Sequence, residues 1–256
     1  MSNWTEPRAD ESCDVLFDKR VRLVQARTGY RTSVDAMLVA WFALEQSESV
    51  SRVADIGAGS GLISILIGLS TATCDLTLFE KQSQLAWRAR RNLRLNNVVG
   101  RVVPCEFADQ LPPIGPFDLV VSNPPYYRSG SGVLPSNIER RTAHYEGTAP
   151  LERFVSVCAE LVSTRGQACI IYPADETERL IYALDAAGLG QMRVMMVHHR
   201  ELDRRPTRVM IAAKKGPLDV VATTPLRLHP IGVPDHTYTE PLSRFIAALK
   251  SPQSSA

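Results

Sequence analysis

The chain has 256 residues with 45% hydrophobic and 22% charged positions, a composition typical of a globular protein with one main domain. Its longest apolar stretch, Leu62 to Leu69, is too short to cross a bilayer, and the polar segment Met1 to Asp10 lacks the features of a signal peptide. A net charge of +2 does not by itself indicate a nucleic-acid binder.

The first 45 residues predict a small extension that packs on a larger domain. Phe17 to Gln25 has the pattern of a short strand or hairpin, and Thr32 to Ala40 that of a helix. Ser33 is a plausible N-cap for this helix, and Asp35 lies in its first turn. We therefore expect an extension over residues 1–45, a main domain over 46–250 and a disordered tail over 251–256.

The main domain alternates strands and helices. Strands are predicted at Val50 to Ile56, Asp75 to Phe79, Arg101 to Phe107, Phe117 to Ser122, Gln167 to Tyr172, Arg193 to His198 and Arg208 to Ala213. Helices are predicted at Leu62 to Leu69, Gln84 to Asn96, Leu151 to Val162 and Glu176 to Ala187. No helix fits between the last two strands, so they should form an antiparallel hairpin at the sheet edge. The predicted fold is α/β: a seven-stranded, doubly wound, mostly parallel sheet with a C-terminal antiparallel hairpin and a short N-terminal extension.

Asn123-Pro124-Pro125-Tyr126 directly follows a buried strand, which is where α/β enzymes place their chemistry. Asn123 offers an amide oxygen, Pro125 constrains the residue before it to an extended or turn geometry, and Tyr126 offers a flat face to a planar group. These features can hold a planar amino group by its two hydrogens. A plain turn that closes a strand is the alternative.

A second motif, Asp55-Ile56-Gly57-Ala58-Gly59-Ser60-Gly61, lies between a strand and a helix. Glycine permits the tight turn and the close approach of backbone to a ligand. A dinucleotide-binding loop is the competing interpretation. Its glycines follow the pattern G-x-G-x-x-G, whereas Gly57, Gly59 and Gly61 fall at alternate positions. Asp55 would repel a pyrophosphate and attract an ammonium or sulfonium group, so it disfavours an NAD-linked enzyme.

The glycine loop and the seven strands resemble class I S-adenosylmethionine-dependent methyltransferases, over about Ser51 to Lys214. The resemblance implies S-adenosylmethionine as cofactor. It places Asp55 near the methionine end, Glu80 on both ribose hydroxyls and Asp109 near the adenine amino group. The cofactor-binding residues that it implies are Asp55, Gly57, Ala58, Gly59, Gly61, Glu80, Lys81, Ala108, Asp109 and Asn123.

In that family the Asn-Pro-Pro-Tyr motif marks methyl transfer to a nitrogen conjugated with a planar system. The resemblance implies a catalytic set of Asn123, Pro124, Pro125 and Tyr126. If the Asn123 side-chain oxygen and the Pro124 carbonyl each accept one amino hydrogen, the nitrogen lone pair turns toward the methyl group, while Tyr126 stacks on the ring. No metal or strong base is needed. The motif leaves adenine, cytosine and glutamine acceptors open.

The segment from Gln25 through Gly29-Tyr30-Arg31 to Ala40 resembles the bacterial tRNA(Val) adenine-N6 methyltransferase family, which modifies the adenine 3′ of the anticodon, position 37 of the tRNA. This resemblance implies a tRNA partner and an entry lined by Tyr30, Arg31, Tyr127 and Arg128, with a base splayed into the pocket. A core aromatic is the alternative for Tyr30. His144-Tyr145 departs from the family pattern, so no substrate contact is carried over there.

Two basic clusters fit an RNA partner. Six basic residues and no acid lie between Lys81 and Arg101, four of them on one predicted helix. The other cluster surrounds the predicted hairpin: Arg193, Arg200, Arg204, Arg205, Arg208, Lys214 and Lys215. Solvated faces without a partner are the alternative for either cluster.

Several further expectations bound the function. The five cysteines have scattered spacings and predict small buried side chains in a cytoplasmic protein. His144, His198 and His199 lack the spacing of metal ligands, and no membrane partner is expected. Rival functions are a glutamine-N5 methyltransferase for release factors, a methyltransferase for another RNA or DNA amine, and a noncatalytic RNA-binding module. The sequence does not fix the oligomeric state.

Overall fold

The computed structural model describes residues 6–29, 31–47, 50–71, 74–106, 114–126, 150–234 and 237–250. The predicted tail at 251–256 lies outside these residues. At the N-terminus, β1 (Glu11–Leu16) and β2 (Val21–Ala26) form an antiparallel hairpin. The hairpin was one of two predicted forms for this segment, and its first strand begins earlier than Phe17.

The other strands form one sheet, and its centre has the predicted arrangement. These strands are β3 (Arg52–Ile56), β4 (Asp75–Glu80), β5 (Arg101–Pro104), β6 (Phe117–Ser122), β7 (Val162–Pro173), β8 (Leu189–Arg200), β9 (Arg208–Lys214), β10 (Gly216–Ala222) and β11 (Leu226–His229). The order across the sheet is β10-β8-β9-β7-β6-β3-β4-β5, with β11 also paired to β8. Among the strands that the structure describes, only β9 is antiparallel to its neighbours in this sheet, as predicted for the hairpin that it forms with β8.

Within the described residues the sheet has nine strands, two more than the seven predicted. β10 and β11 both run parallel to β8 on its outer side, β10 along its first half and β11 along its second. Residues 217–222 of β10 are exposed, so this strand lacks the alternation of buried and exposed positions that reveals a strand in a sequence. The α/β fold class is confirmed, with this extension at the edge.

Helices cover both faces of the sheet. They are α1 (Val34–Gln46), α2 (Leu62–Ser70), α3 (Ser83–Leu95), α4 (Leu151–Leu161), α5 (Thr177–Ala186) and α6 (Glu240–Ala248). One apolar core lies beneath α1, α2, α3 and α6, and a second beneath α4 and α5. Along β6, Leu119 and Val121 belong to the first core and Val120 to the second, because successive strand side chains point to opposite faces. Within the part of the chain that the structure describes, no helix is long and apolar enough to span a membrane.

Polar side chains of α3 hold the N-terminal hairpin. The Asn92 amide accepts from Val24 N at 2.7 Å and donates to Val24 O at 3.0 Å, so it satisfies the backbone of β2 as a neighbouring strand would. Asn96 makes the same pair of bonds with Arg22, at 2.9 and 2.7 Å. Asn92 also donates to Ser60 O at 2.9 Å. The hairpin is thereby linked through α3 to the glycine loop.

Two of the four arginines on α3 are bound within the protein, which reduces the basic surface that this helix can offer to RNA. Arg88 and Arg91 are buried, and both bond the buried Glu11 carboxylate, at 3.0 and 2.6 Å. Burial acts to raise the pKa of Glu11, but hydrogen bonds from the Arg8 amide and these two arginines hold it below its ordinary value. These arginines neutralise a buried carboxylate and are not available to an RNA phosphate. Sequence alone could not pair Glu11 with residues so distant in the chain.

Candidate active site

The predicted site residues lie at the carboxyl ends of the parallel strands. β3, β4 and β6 are parallel neighbours, so Asp55, Glu80 and Asn123 come together at or just beyond their carboxyl ends. β9 begins at the same ends of the strands, because Arg208 pairs with Pro173 at the end of β7. The arrangement joins the glycine loop and the Asn-Pro-Pro-Tyr motif in one site.

The glycine loop turns sharply between β3 and α2. Gly57, Gly59 and Gly61 have φ values of 73°, 56° and 85°, in the left-handed region that favours glycine. A Cβ atom on Gly57 would lie 3.1 Å from Phe154 Cε1, so the loop also packs tightly against α4. The amides of Gly57 and Ala58 both donate to Phe79 O, at 2.9 and 3.0 Å. The loop is a narrow cradle fixed to the end of β4.

Asp55 lies under this loop and is fully buried. Its Oδ2 accepts a hydrogen bond from Ser64 Oγ at 2.8 Å, whereas Oδ1 is buried without a hydrogen-bond partner among the described residues. Burial raises the pKa of Asp55 to about 7, opposed by the Ser64 hydrogen bonds and reinforced by the charge of Glu80. A cationic or hydrogen-bond-donating group of a ligand would stabilise the ionised form of this buried carboxylate.

Glu80 supports the loop from β4. Its Oε2 accepts from Gly59 N at 2.8 Å and its Oε1 from Gln82 N at 2.8 Å. Burial raises the pKa of Glu80 in spite of these bonds. Because each carboxylate oxygen has two lone pairs, both can still accept from the two hydroxyls of a ribose. Lys81, beside it, forms an ion pair with Glu106 at 3.4 Å.

These residues fit the predicted cofactor. Two buried carboxylates, Asp55 and Glu80, lie close to a glycine cradle, and one carboxylate oxygen of Asp55 has no hydrogen-bond partner in the described part of the chain. Such a site is suited to a ligand with positive charge and hydroxyl donors, which S-adenosylmethionine has. A pyrophosphate would meet two acidic groups, so the geometry does not favour the NAD alternative.

The Asn-Pro-Pro-Tyr segment is anchored at the end of β6. Ser122 Oγ donates to Ile56 O at 2.9 Å and so connects the segment to β3. Pro124 is buried, whereas Asn123, Pro125 and Tyr126 are partly exposed. The ring of Tyr126 makes an edge contact with Tyr172, with 5.8 Å between ring centroids, and its hydroxyl bonds the Asn123 side-chain oxygen. The predicted stacking of Tyr126 on a substrate ring stays a prediction.

A partly buried ion pair between Asp35 and Arg208 lies beside this segment and was not predicted as part of the site. The Tyr126 hydroxyl is 2.8 Å from Asp35 Oδ2, and Arg208 Nε is 3.2 Å from Asp35. The Arg208 guanidinium carbon lies 5.2 Å from the centroid of the Tyr126 ring. Asp35 was recognised only as a first-turn helix residue, and Arg208 only as one basic residue of a cluster. The signal that could have found them is their position: Asp35 lies within the family-like segment, and Arg208 begins the strand next to β7.

The other predicted site residues divide into two groups. Arg31 donates to Ser12 Oγ at 3.0 Å and to Ala26 O at 2.9 Å, and it bonds Asp14. It therefore braces the N-terminal hairpin, and its contact with substrate stays a prediction. The second group lies outside the described residues: Tyr30, Ala108, Asp109, Tyr127 and Arg128. Within the described ranges, no cluster of three or more His, Cys, Asp or Glu side chains could hold a metal ion.

Comparison with known proteins gives a family and relatives. Residues 35–142 match the family model of the methyltransferase small domain. The chain is 28% identical over 165 residues to a tRNA1(Val) (adenine(37)-N6)-methyltransferase of Aeromonas hydrophila, an alignment that covers 64% of this chain and 68% of that protein. It is 28% identical over 200 residues to the protein of the same name from Citrobacter koseri, covering 76% and 79%.

Solved structures show the same fold. A predicted O-methyltransferase of Agrobacterium tumefaciens superposes with a TM-score of 0.66 at 21% identity, covering 85% of this chain and 97% of that one. A T. thermophilus 16S rRNA methyltransferase, solved with AdoMet and guanosine, gives 0.56 at 15% identity, covering 80% and 50%. The predicted fold and family resemblance are confirmed. The chain is a methyltransferase of the class I fold, and its residues 35–142 are similar to the methyltransferase small domain family.

Proposed function

We propose that this protein transfers the methyl group of S-adenosylmethionine to N6 of adenine 37 in tRNA1(Val). The observation that carries the proposal is the placement of Asn123, at the end of β6, beside a cradle suited to a cationic ligand at the end of β3. The activity for which the relatives from Aeromonas hydrophila and Citrobacter koseri are named supports the choice of acceptor. A cytoplasmic location, where tRNA is modified, belongs to this proposal.

On the cofactor side, Asp55 and Glu80 bind and orient S-adenosylmethionine. The orphan Oδ1 of Asp55 accepts from the methionine end of the ligand or from a water that it holds. Glu80, fixed by the amides of Gly59 and Gln82, accepts from the ribose hydroxyls. When bound, S-adenosylmethionine supplies an electrophilic methyl group on a sulfonium that is already activated for displacement.

On the acceptor side, the protein makes the exocyclic nitrogen of adenine nucleophilic. This nitrogen is a poor nucleophile because its lone pair is delocalised into the ring. Two acceptors, the Asn123 side-chain oxygen and the Pro124 carbonyl, hold its two hydrogens and turn the lone pair out of the ring plane. Positioning and hydrogen bonding supply the acceleration, and the proton leaves after the methyl group has been transferred.

For the RNA, the structure favours the β8–β9 hairpin over α3. The connection over residues 201–207 lies at the same ends of the strands as Asn123, because β8 runs in the same direction as β7 and ends there. Arg204 and Arg205 in this connection are exposed, whereas Arg88 and Arg91 of α3 are buried against Glu11. We propose that Arg204 and Arg205 contact phosphates of the anticodon stem-loop.

The direct test is methyl transfer from labelled S-adenosylmethionine to an unmodified tRNA1(Val) transcript. We expect transfer to the wild-type transcript, none to a transcript with guanosine at position 37, and none by Asn123→Ala. Binding of S-adenosylhomocysteine should survive in Asn123→Ala, because the proposed contacts of Asp55 and Glu80 with the cofactor are unchanged. Retained transfer by this variant would refute the mechanism. Transfer to a release-factor peptide with a glutamine acceptor, and not to tRNA, would refute the substrate.

A further inference from the structure

The Tyr126 hydroxyl faces two acceptors at once. Its oxygen is 2.8 Å from Asp35 Oδ2 and also bonds Asn123 Oδ1. A tyrosine hydroxyl carries one proton, so it donates to one of these oxygens at a time. The other oxygen then faces the lone pairs of the hydroxyl, which is unfavourable. The site therefore contains a competition for one proton between a carboxylate and the amide that is proposed to hold the substrate.

Several contacts make Asp35 the stronger acceptor. It is 2% exposed, and Arg208 Nε lies 3.2 Å from both of its oxygens, so it is the buried half of an ion pair whose arginine is partly exposed. It also lies in the first turn of α1, where the helix dipole favours a negative charge. Hydrogen bonds to a charged carboxylate are shorter and stronger than those to a neutral amide. The Tyr126 hydroxyl accordingly donates its hydrogen bond to Asp35 and not to Asn123.

The amide of Asn123 has nearly the same shape in its two orientations, and its hydrogen-bond partners decide between them. With its oxygen on Tyr126, it presents N–H groups to the pocket and repels the hydrogens of an incoming amine. After a half-turn, its nitrogen donates to the Tyr126 oxygen and its own oxygen faces the pocket. Only this second orientation adds the Asn123 side-chain oxygen to the Pro124 carbonyl as an acceptor for the substrate.

We infer that Asp35 is a positioning residue for catalysis: by accepting the hydrogen bond of the Tyr126 hydroxyl, it turns the amide of Asn123 so that the amide oxygen is offered to the substrate amine. The hydrogen-bond chain then runs from Asn123 Nδ2 to Tyr126 Oη and from Tyr126 Oη–H to Asp35, which Arg208 keeps in place. The inference rests on the proposed function, since it assumes that Asn123 accepts an amino hydrogen. It adds the residues that orient Asn123.

Asp35→Asn tests this chain of hydrogen bonds, because it places an amide donor where the carboxylate accepted the bond from Tyr126. An amide N–H of the new residue can donate to the Tyr126 oxygen, which directs the Tyr126 proton to Asn123 and occupies the catalytic oxygen. We expect kcat for the tRNA1(Val) transcript to fall about 10- to 100-fold, the scale of losing one oriented catalytic group. The Kd for S-adenosylhomocysteine should stay within about twofold, because the cofactor contacts of Asp55 and Glu80 are unchanged.

A double variant separates positioning from a general structural role. Tyr126→Phe removes the hydroxyl through which Asp35 acts, and it should lower kcat by itself. In that background, Asp35→Asn should add less than about a threefold loss, because contacting residues of one hydrogen-bond network are not additive. A full additional loss would overturn the inference. The matched control is Asp118→Asn, whose carboxylate accepts from Arg52 N at 3.0 Å near the start of β6, and kcat there should be unchanged.

A binding experiment without turnover gives a second measurement. With S-adenosylhomocysteine bound, the wild type should prefer an anticodon stem-loop with adenine at position 37 over one with purine, which lacks the 6-amino group. Asp35→Asn and Tyr126→Phe should both lose this preference. If the wild type neither methylates nor prefers adenine, the proposed function fails. If the wild type does both and the two variants keep the preference, the function stands and the inference about Asp35 is overturned.

Discussion

The raised pKa of Asp55 predicts that cofactor binding depends on pH near neutrality. Burial raises this pKa to about 7, so at pH 6 most molecules without ligand carry a neutral, protonated Asp55. A cationic ligand is stabilised by the carboxylate and not by the neutral acid. For a ligand that binds only the ionised form, the apparent Kd should be about 10-fold weaker at pH 6 than at pH 8, with most of the change between pH 6 and 7.

Isothermal titration calorimetry with S-adenosylmethionine, at pH 6, 7 and 8 and in buffers of different ionisation enthalpy, measures both the Kd and the protons released. Nearly one proton should be released per ligand bound at pH 6, about half a proton at pH 7 and almost none at pH 8. In Asp55→Asn both the pH dependence and the proton release should vanish. A Kd that is unchanged between pH 6 and 8 in the wild type would refute the assignment of Asp55 as the ionisable group under the ligand.

The same carboxyl makes an independent prediction for the protein without ligand. Its pKa is about 7 in the folded state, compared with 3.8 for an unperturbed aspartate. Between these values the folded state binds more protons than the unfolded state, so this group lowers the free energy of unfolding as the pH rises from about 4 to about 7. Asp55→Asn should remove that component of the pH dependence, as urea unfolding at several pH values would show.

Three further predictions test other parts of the structure. Glu11→Ala leaves two buried arginines without their carboxylate and should lower the free energy of unfolding by about 3–5 kcal/mol in urea denaturation. Gly61→Ala, at a φ of 85°, should cost about 1–2 kcal/mol of stability and weaken the binding of S-adenosylhomocysteine in calorimetry, because the loop must shift. Changing Arg204 and Arg205 to Ser should raise KM for tRNA without changing kcat, and should reduce the salt dependence of binding by about one unit of slope per lost phosphate contact.

Matched controls make the results for Glu11 and for Arg204 and Arg205 interpretable. Arg94→Ala, on the exposed side of α3, should change the free energy of unfolding by no more than about 0.5 kcal/mol. Arg165→Ser removes an exposed charge near the start of β7, at the ends of the strands away from Asn123, and should leave KM for tRNA unchanged. An equal rise in KM for Arg165→Ser would mean that the β8–β9 hairpin is not a specific contact. Wild-type stability of Glu11→Ala would mean that Arg88 and Arg91 do not need their partner.

The sequence predicted the centre of the fold because the signals there are local. Apolar runs such as Val120 and its neighbours, punctuated by glycine and proline, mark buried strands and their ends. Parallel strands then bring Asp55, Glu80 and Asn123 to one edge without any knowledge of side-chain contacts. Edge strand β10 escaped prediction because its residues 217–222 are exposed on both faces.

What could not be predicted depends on pairing between distant parts of the chain. The basic stretch of α3 was interpreted as a surface because its charges are visible in the sequence, whereas Glu11, which neutralises two of them, is far away. Arg208 and Asp35 are likewise brought together only by the packing of α1 against β9. In both cases a charged residue became structural or supporting through a partner that no local pattern identifies.

The central claim, methylation of adenine 37 in tRNA1(Val), is tested most directly by mass spectrometry of digested tRNA from cells with and without the gene. N6-methyladenosine at that position should be present in cells that carry the gene, absent from those that lack it, restored by the wild-type gene and not restored by Asn123→Ala. An unchanged level of N6-methyladenosine beside the anticodon in cells without the gene would contradict the substrate, even though the methyltransferase fold would stand.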